Sequence, residues 1–270
     1  MLISIITPTF NSAQSIQRTV DSIISQTNKE FEHIIIDNQS IDNTLDIIIK
    51  VYRNAGIESK LKIICEKDKG ISDAFNKGIT NSSGEIIGIL NSDDLFYDNS
   101  ILSLVHTSLS KPDKLLSHGN ILFKDDLFGS NIRFPLKNNI LGIEFNHPGM
   151  FVKREVYSKV GLYNEKMNFA MDVDFFFKLK KYYHNIEEIS CYLSYPLVIM
   201  KSGGASWKNE IKALKEVKIS LLNNDMWNFN SAKDYWLRVF RTRIKSFLSI
   251  IGLHGIVKIW RNKKWKGSLC

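Results

Sequence analysis

The sequence is poor in the residues that hold small or secreted folds together. Three cysteines in 270 residues, Cys65, Cys191 and Cys270, are too few and too far apart for a disulfide scaffold or a Cys-rich zinc site. They read as structural or idle thiols in a reducing compartment. The opening MLISIITPTF has no basic n-region, long apolar core or small-residue cleavage site, so no secretory signal is expected and the cytoplasm is the predicted location. The six histidines, His33, His106, His118, His147, His184 and His254, form neither HxxxH nor HExxH, the usual zinc spacings. GxSxG, GxxxxGK[ST] and GxGxxG are also missing, which excludes the commonest hydrolase, nucleotide-hydrolysing and dinucleotide-binding readings. In the carboxy-terminal stretch the longest charge-free run, 246 to 257, is 12 residues. Crossing a bilayer takes about 20, so a spanning helix is not expected there.

What is present is an ordinary globular composition, 44% hydrophobic and 24% charged, long enough for one large core or two small ones. Charge is uneven. Residues 1 to 200 carry 21 Lys and Arg against 24 Asp and Glu, whereas 201 to 270 carry 15 against 4. All five tryptophans, Trp207, Trp227, Trp236, Trp260 and Trp265, fall in the basic stretch. Such a break predicts a boundary near Gly203 and Gly204, between a larger unit and a basic extension.

Apolar, β-branched runs recur along the first hundred residues. LISII (2 to 6), ended by Pro8, HIIID (33 to 37), LKIIC (61 to 65) and EIIGIL (85 to 90) read as buried parallel strands. Between them lie helical patterns. Ala13, Ile16, Val20, Ile23 and Ile24 share one face, with Asn11 and Gln14 resembling a capping box. Leu45, Ile48, Ile49 and Tyr52 share another. Strands alternating with helices imply an α/β fold with a central, mostly parallel sheet flanked by helices.

In such sheets ligands bind beyond the carboxyl ends of the strands. Thr7, Pro8 and Thr9 follow the first strand, Asp37 closes the second, Asp68 and Gly70 follow the third, and Asp93 and Asp94 follow the fourth. One Asp after one strand would be an ordinary helix cap; the recurrence over four strand ends points to a site. Asp93 and Asp94 are adjacent carboxylates at the end of an apolar strand, where burial and repulsion call for a cation. Mg²⁺ or Mn²⁺ would suit, since these ions take one or two carboxylates and complete their shell with diphosphate oxygens and water. A second pair, Asp172 and Asp174 in MDVDFFFKL, precedes a helix. There Asp172 is either its N-cap or a general base.

The set TPTFN (7 to 11), IIIDNQSIDNT (34 to 44), EKDKGISDAFNKG (66 to 78), GEIIGILNSDD (84 to 94), NHPGMFVKREVYSKVG (146 to 161), MDVDFFFKL (171 to 179) and SGGAS (202 to 206) resembles glycosyltransferase family 2. The closest likeness is to its bacterial colanic acid, O-antigen and capsule branch. The resemblance covers residues 1 to 206. It implies a GT-A fold, an activated nucleotide sugar donor (UDP- or GDP-sugar), a divalent cation and inversion at the anomeric carbon. It also implies a catalytic domain over 1 to 206, with a nucleotide-sugar-binding half (1 to 95) and an acceptor half (96 to 206). By resemblance Thr7, Pro8, Thr9, Asn11 and Asp37 hold the nucleoside, and Asp68, Gly70, Asp73 and Asn76 belong to the donor-side loop and helix. Asp94 is the metal ligand, and Asp93 contacts ribose or shares the metal. Asp172 is the catalytic base, and His147 and Asp174 lie on the acceptor side. Asn38, Phe75, Asn91 and Met171 depart from the family's usual residues.

The extension 207 to 270 has its own pattern. A helix from Ala232 to Ile251 would place Trp236, Phe240, Phe247 and Ile251 on one side and Arg238, Arg241 and Lys245 on the other, and WRNKKWK follows. Such a helix either lies in an anionic membrane interface or packs on the catalytic domain. No nucleic-acid motif accompanies the charge, so nucleic acid is not an expected partner. The expected protein is thus a metal-dependent enzyme, peripheral at the inner face of the cytoplasmic membrane. It would add a sugar to a saccharide acceptor carried on polyprenyl diphosphate, in surface polysaccharide synthesis. The rival class is a silent nucleotide-sugar or glycan-binding module, because a fold alone does not establish chemistry.

Overall fold

The computed structural model describes residues 1 to 125, 129 to 136, 139 to 142, 144 to 201 and 209 to 251. SGGAS (202 to 206), Trp207, His254, WRNKKWK and Cys270 lie outside the described residues. The first half runs β1 (Ile3–Thr9), α1 (Ile16–Ile24), β2 (Phe31–Asp37), α2 (Thr44–Ala55), β3 (Leu61–Cys65), α3 (Ile71–Asn81) and β4 (Ile86–Ile89). Then come β5 (Leu95–Phe96), α4 (Ile101–Leu109), β6 (Leu116–Asp125), β7 (Gly129–Arg133), a 3-10 turn (His147–Gly149), β8 (Met150–Lys153) and α5 (Arg154–Val160). The chain continues through α6 (Met171–Tyr183), α7 (Ile186–Ile189), β9 (Ser190–Lys201), α8 (Glu210–Asn223) and α9 (Phe229–Ile250).

One sheet runs through the molecule in the order β3-β2-β1-β4-β8-β6-β9-β5, with β7 on β6. The four amino-terminal strands pair in parallel, with β1, β2 and β4 largely buried and β3 on the partly exposed edge. β8 joins both β4 and β6 antiparallel, while β6 and β9 are parallel, so the sheet is mixed. Helices cover both faces. On one, α3, α5, α6, α8 and α9 bury Ile6, Ile79, Val156, Phe175, Leu179, Leu214 and Tyr235; on the other, Ile3, Phe31 and Phe151 meet α4 through Leu102 and Val105.

Two local expectations are corrected. Pro8 does not end β1; the strand runs on to Thr9, paired with Asp37. The carbonyl of Ile6 accepts the amide of Leu90, so Pro8, two residues on, faces the same β4 side, where pairing has stopped at Ile6 and Ile89. No ladder bond is lost there. Because the strand continues, α1 starts only at Ile16, and Asn11 and Gln14 form no capping box. Asn11 instead adopts φ 49°, and its side chain accepts the amide of Ile41.

α3 crosses β1 closely enough that Gly78 is required. A Cβ there would stand 2.3 Å from Cγ2 of Ile6, a side chain with no exposed surface and no room to move. Gly78→Ala is expected to destabilise the fold by about 1–3 kcal/mol through overpacking. An unchanged urea midpoint would contradict this packing.

Candidate active site

The parallel register brings the polar strand ends level. Thr9 pairs with Asp37, and Asp37 with Cys65. Beyond β4 the turn Asn91–Asp94 meets the same edge, where Ser92 and Ser12 share a 2.9 Å hydrogen bond. β8 runs antiparallel to β4, so the His147 turn that precedes it arrives beside Asn91–Asp94. Thus the predicted residues of β1 to β4 and His147 line one rim.

The rim is ordered by its own side chains. Asp37, fully buried, accepts Thr9 Oγ1 at 2.7 Å, Ser40 Oγ at 2.6 Å and the Ser40 amide at 2.8 Å. Thr7 commits its hydroxyl to His33 Nε2 at 2.9 Å, whose Nδ1 meets Tyr52, so both support the rim from below. His33 is a core residue, pushed down to about 3 by burial. Asn38 accepts the amide of Asp68, and Asp68 accepts that of Gly70, which holds φ 131° at the start of α3. Burial raises the Asp68 carboxyl. Asp73 accepts the Lys69 amide and pairs with Lys77. The free thiol Cys65 lies 3.5 Å from Asp37.

Asp94 is the most perturbed acid here. It is 2% exposed, and burial, then the neighbouring Asp93, push it up to about 7, against a hydrogen bond from Asn91 Nδ2 at 3.0 Å. No described cation pairs with it, while Asp93 stays exposed. Asn91 Oδ1, beside it, is buried without a hydrogen-bond partner among the described residues. A hard divalent cation fits such oxygens. Among the described residues no three His, Cys, Asp or Glu side chains converge. Asp94, Asp93 and Asn91 would therefore hold only part of a metal's shell, leaving the rest to ligand and water.

Asp172 occupies the first turn of α6, whose N-cap is Ala170, so it is not the N-cap. Its carboxyl is raised by burial and by Glu216, opposed by His147 and by the Val173 amide. His147 stacks on Phe75 at 5.8 Å, and its Nε2 meets the Tyr163 hydroxyl at 2.9 Å. Burial lowers His147, opposed by the charge of the nearby Asp172. The departures have structural partners: Phe75 walls His147, Met171 enters the core, and Asn38 orders the Asp68–Gly70 loop.

Two predicted site residues have other partners. Asn76 exchanges both amide atoms with the main chain of Tyr163, at 2.9 Å each, and so ties α3 to the loop before α6. Asp174, buried, accepts Ser220 Oγ at 2.8 Å and pairs with Lys178 at 3.1 Å. Tyr163 and Glu216 were not predicted. Tyr163 falls two residues past the NHPG…KVG motif, and Glu216 is 44 residues from Asp172, so no local pattern marks either.

The mixed sheet, with acids at the carboxyl ends of its parallel half and Asp172 in the first turn of α6, has the GT-A fold. The crystal structure of S. aureus TarS with UDP-GlcNAc matches with a TM-score of 0.66 at 19% identity, covering 89% of this chain and 73% of that one. Mannosyltransferase PcManGT from Pyrobaculum calidifontis, solved with GDP-Man and Mn²⁺, matches with a TM-score of 0.60 at 16% identity, covering 96% and 82%. The model of glycosyl transferase family 2 matches residues 4–159, and the chain belongs to that family. The PGL/p-HBAD biosynthesis glycosyltransferase of Mycobacterium tuberculosis is 30% identical over 175 residues, 64% of this chain and 68% of the relative. Chondroitin synthase of Pasteurella multocida is 31% identical over 188 residues, 67% of this chain but 19% of the synthase.

The raised Asp94 predicts a pH signature. A carboxyl whose folded value lies near 7 rather than 3.8 disfavours the fold increasingly as pH rises between those values. Asp94→Asn should therefore stabilise the cation-free protein more at pH 8 than at pH 5, by on the order of a few kcal/mol. Equal shifts in melting temperature at both pH values would contradict the burial of this acid.

Proposed function

We propose that the protein is a metal-dependent, inverting glycosyltransferase that moves a sugar from a UDP- or GDP-sugar to a saccharide acceptor. What carries the reading is Asp172, in the first turn of α6, its carboxyl raised by burial and lying near His147 on the turn that the antiparallel register of β8 brings toward the end of β4. Asp172 would accept the proton of the attacking acceptor hydroxyl, a step worth roughly 10²- to 10⁴-fold. Its surroundings favour the neutral acid that results. One base and one in-line displacement give inversion. Asp94, with Asp93 and Asn91, would hold a Mg²⁺ or Mn²⁺ ion, which supplies Lewis-acid stabilisation of the departing nucleotide diphosphate. Thr9, Asp37, Ser40 and the Asp68–Gly70 loop would frame the nucleoside, and Phe75, His147 and Tyr163 the acceptor side. The joint presence of Asp94 and Asp172 in strained protonation environments favours an enzyme over a silent binding module.

We place this chemistry at the inner face of the cytoplasmic membrane, with an acceptor carried on polyprenyl diphosphate in surface polysaccharide synthesis. No helix among the described residues is long and apolar enough to cross a membrane. α9 supports a surface attachment. Tyr235, Val239 and Thr242 are buried on the protein, whereas Trp236, Phe240 and Phe247 stand 58%, 62% and 61% exposed. Arg238 and Arg241 occupy a third side, while Lys245 turns inward to pair with Glu210. An exposed aromatic stripe flanked by cations suits an anionic interface.

Asp172→Asn is expected to cut transfer at least about 10²-fold while leaving the thermal shift given by nucleotide sugar and Mn²⁺ nearly intact. Normal turnover in that variant would remove Asp172 from its role. Replacing Trp236, Phe240 and Phe247 together by Ser should abolish flotation with phosphatidylglycerol vesicles without unfolding the protein, since none is in the core. Undiminished flotation would refute the attachment.

A further inference from the structure

α6 starts without a side-chain cap of its own. The amides of the loop just ahead of it, those of Asn168, Phe169 and the N-cap Ala170, need acceptors from elsewhere. The acceptor comes from α8. Both carboxylate oxygens of Glu216 receive the Asn168 amide, at 3.0 and 3.1 Å, and Oε2 also receives those of Phe169 at 2.8 Å and Ala170 at 2.9 Å. Three consecutive amides thus converge on one charge, two residues before Asp172. Amide bonds to a carboxylate are the stronger, shorter kind. The same loop is held from the other side by the donor helix: Ser72 Oγ donates to the Met167 carbonyl at 2.6 Å, and Asn76 is paired with the main chain of Tyr163. Glu216 lies outside the stretch 4–159 matched by the family model.

We propose that Glu216 is a positioning residue for Asp172, clamping the loop 168 to 170 so that the base is held in register with the donor helix. The segment after residue 206 is then part of the catalytic machinery. The proposal rests on the reading of Asp172 as the base. Glu216 acts on it in two ways, by orientation through the amides and by charge. The titratable groups that act on the Asp172 carboxyl are His147, which lowers it, and Glu216, which raises it; the Tyr163 hydroxyl also adjoins it and feels its charge.

Two variants separate orientation from charge. Glu216→Gln keeps the shape and one acceptor oxygen but removes the charge, and Glu216→Asp keeps the charge but is one carbon too short to reach all three amides. With Glu216→Gln, kcat should fall roughly 10- to 100-fold, as for a base slightly misplaced. Donor KM should change less than about threefold, and the acid limb of the kcat/KM profile should move to lower pH. Glu216→Asp should lose kcat comparably while its acid limb stays near that of the unaltered enzyme. In both, hydrogen exchange should quicken at the amides of 168 to 170. Per-molecule kcat and pH profiles unaltered in both variants, with only a lower melting temperature, would overturn the proposal and leave a merely structural clip. Asp172→Asn runs alongside. If it turns over normally, the base reading and this proposal fall together; if it is inactive while both Glu216 variants match the unaltered enzyme, only the Glu216 proposal falls.

Discussion

Asp94 is buried and Asp172 half-buried, both carboxyls are raised by burial, and neither forms a described salt bridge with Lys or Arg. That arrangement costs stability, since burial without a cation penalises the charged form. Elsewhere the protein pairs its buried acids fully: Asp37 with Thr9 and Ser40, Asp174 with Lys178 and Ser220. The contrast within one molecule separates acids that support the fold from acids left available for a cation or a proton.

Rigidity around Asp172 is built from three directions. From β8 and its 3-10 turn comes His147, fixed by Tyr163 and by the Phe75 ring. From α3 come Ser72 and Asn76, which bind main chain rather than ligand. From α8 comes Glu216, gathering the amides that precede α6. α3 and α8 thereby grip the one loop that precedes Asp172.

The carboxy-terminal helices pack in part on the rest of the chain, one of the two arrangements the sequence allowed. α9 has two apolar stripes. One, through Tyr235 and Val239, belongs to the same core as α6; the other, through Trp236, Phe240 and Phe247, faces outward. Lys218 of α8 sits over the rings of Trp227, Tyr235 and Trp236, tying the two helices where the stripes meet. Part of the basic, aromatic composition is thus internal structure.

The amino-acid sequence by itself determined the β-α alternation of the first ninety residues and the strand ends at which Asp37, Asp68 and Asp94 collect. Apolar period and turn chemistry are local properties, and β2, β3 and β4 begin and end within two residues of where that pattern puts them. The placement of Pro8 and the start of α1 were misjudged because the limits of β1 depend on where β4 stops, a fact of the sheet. Only the tertiary structure decided that Asn76 and Asp174 act as ties, that Tyr163 holds His147, and that Glu216 gathers the amides just ahead of α6. These contacts span 16 to 87 residues of sequence. Such contacts leave no periodicity in the chain, because they arise from how whole elements stack and not from the spacing of residues within one.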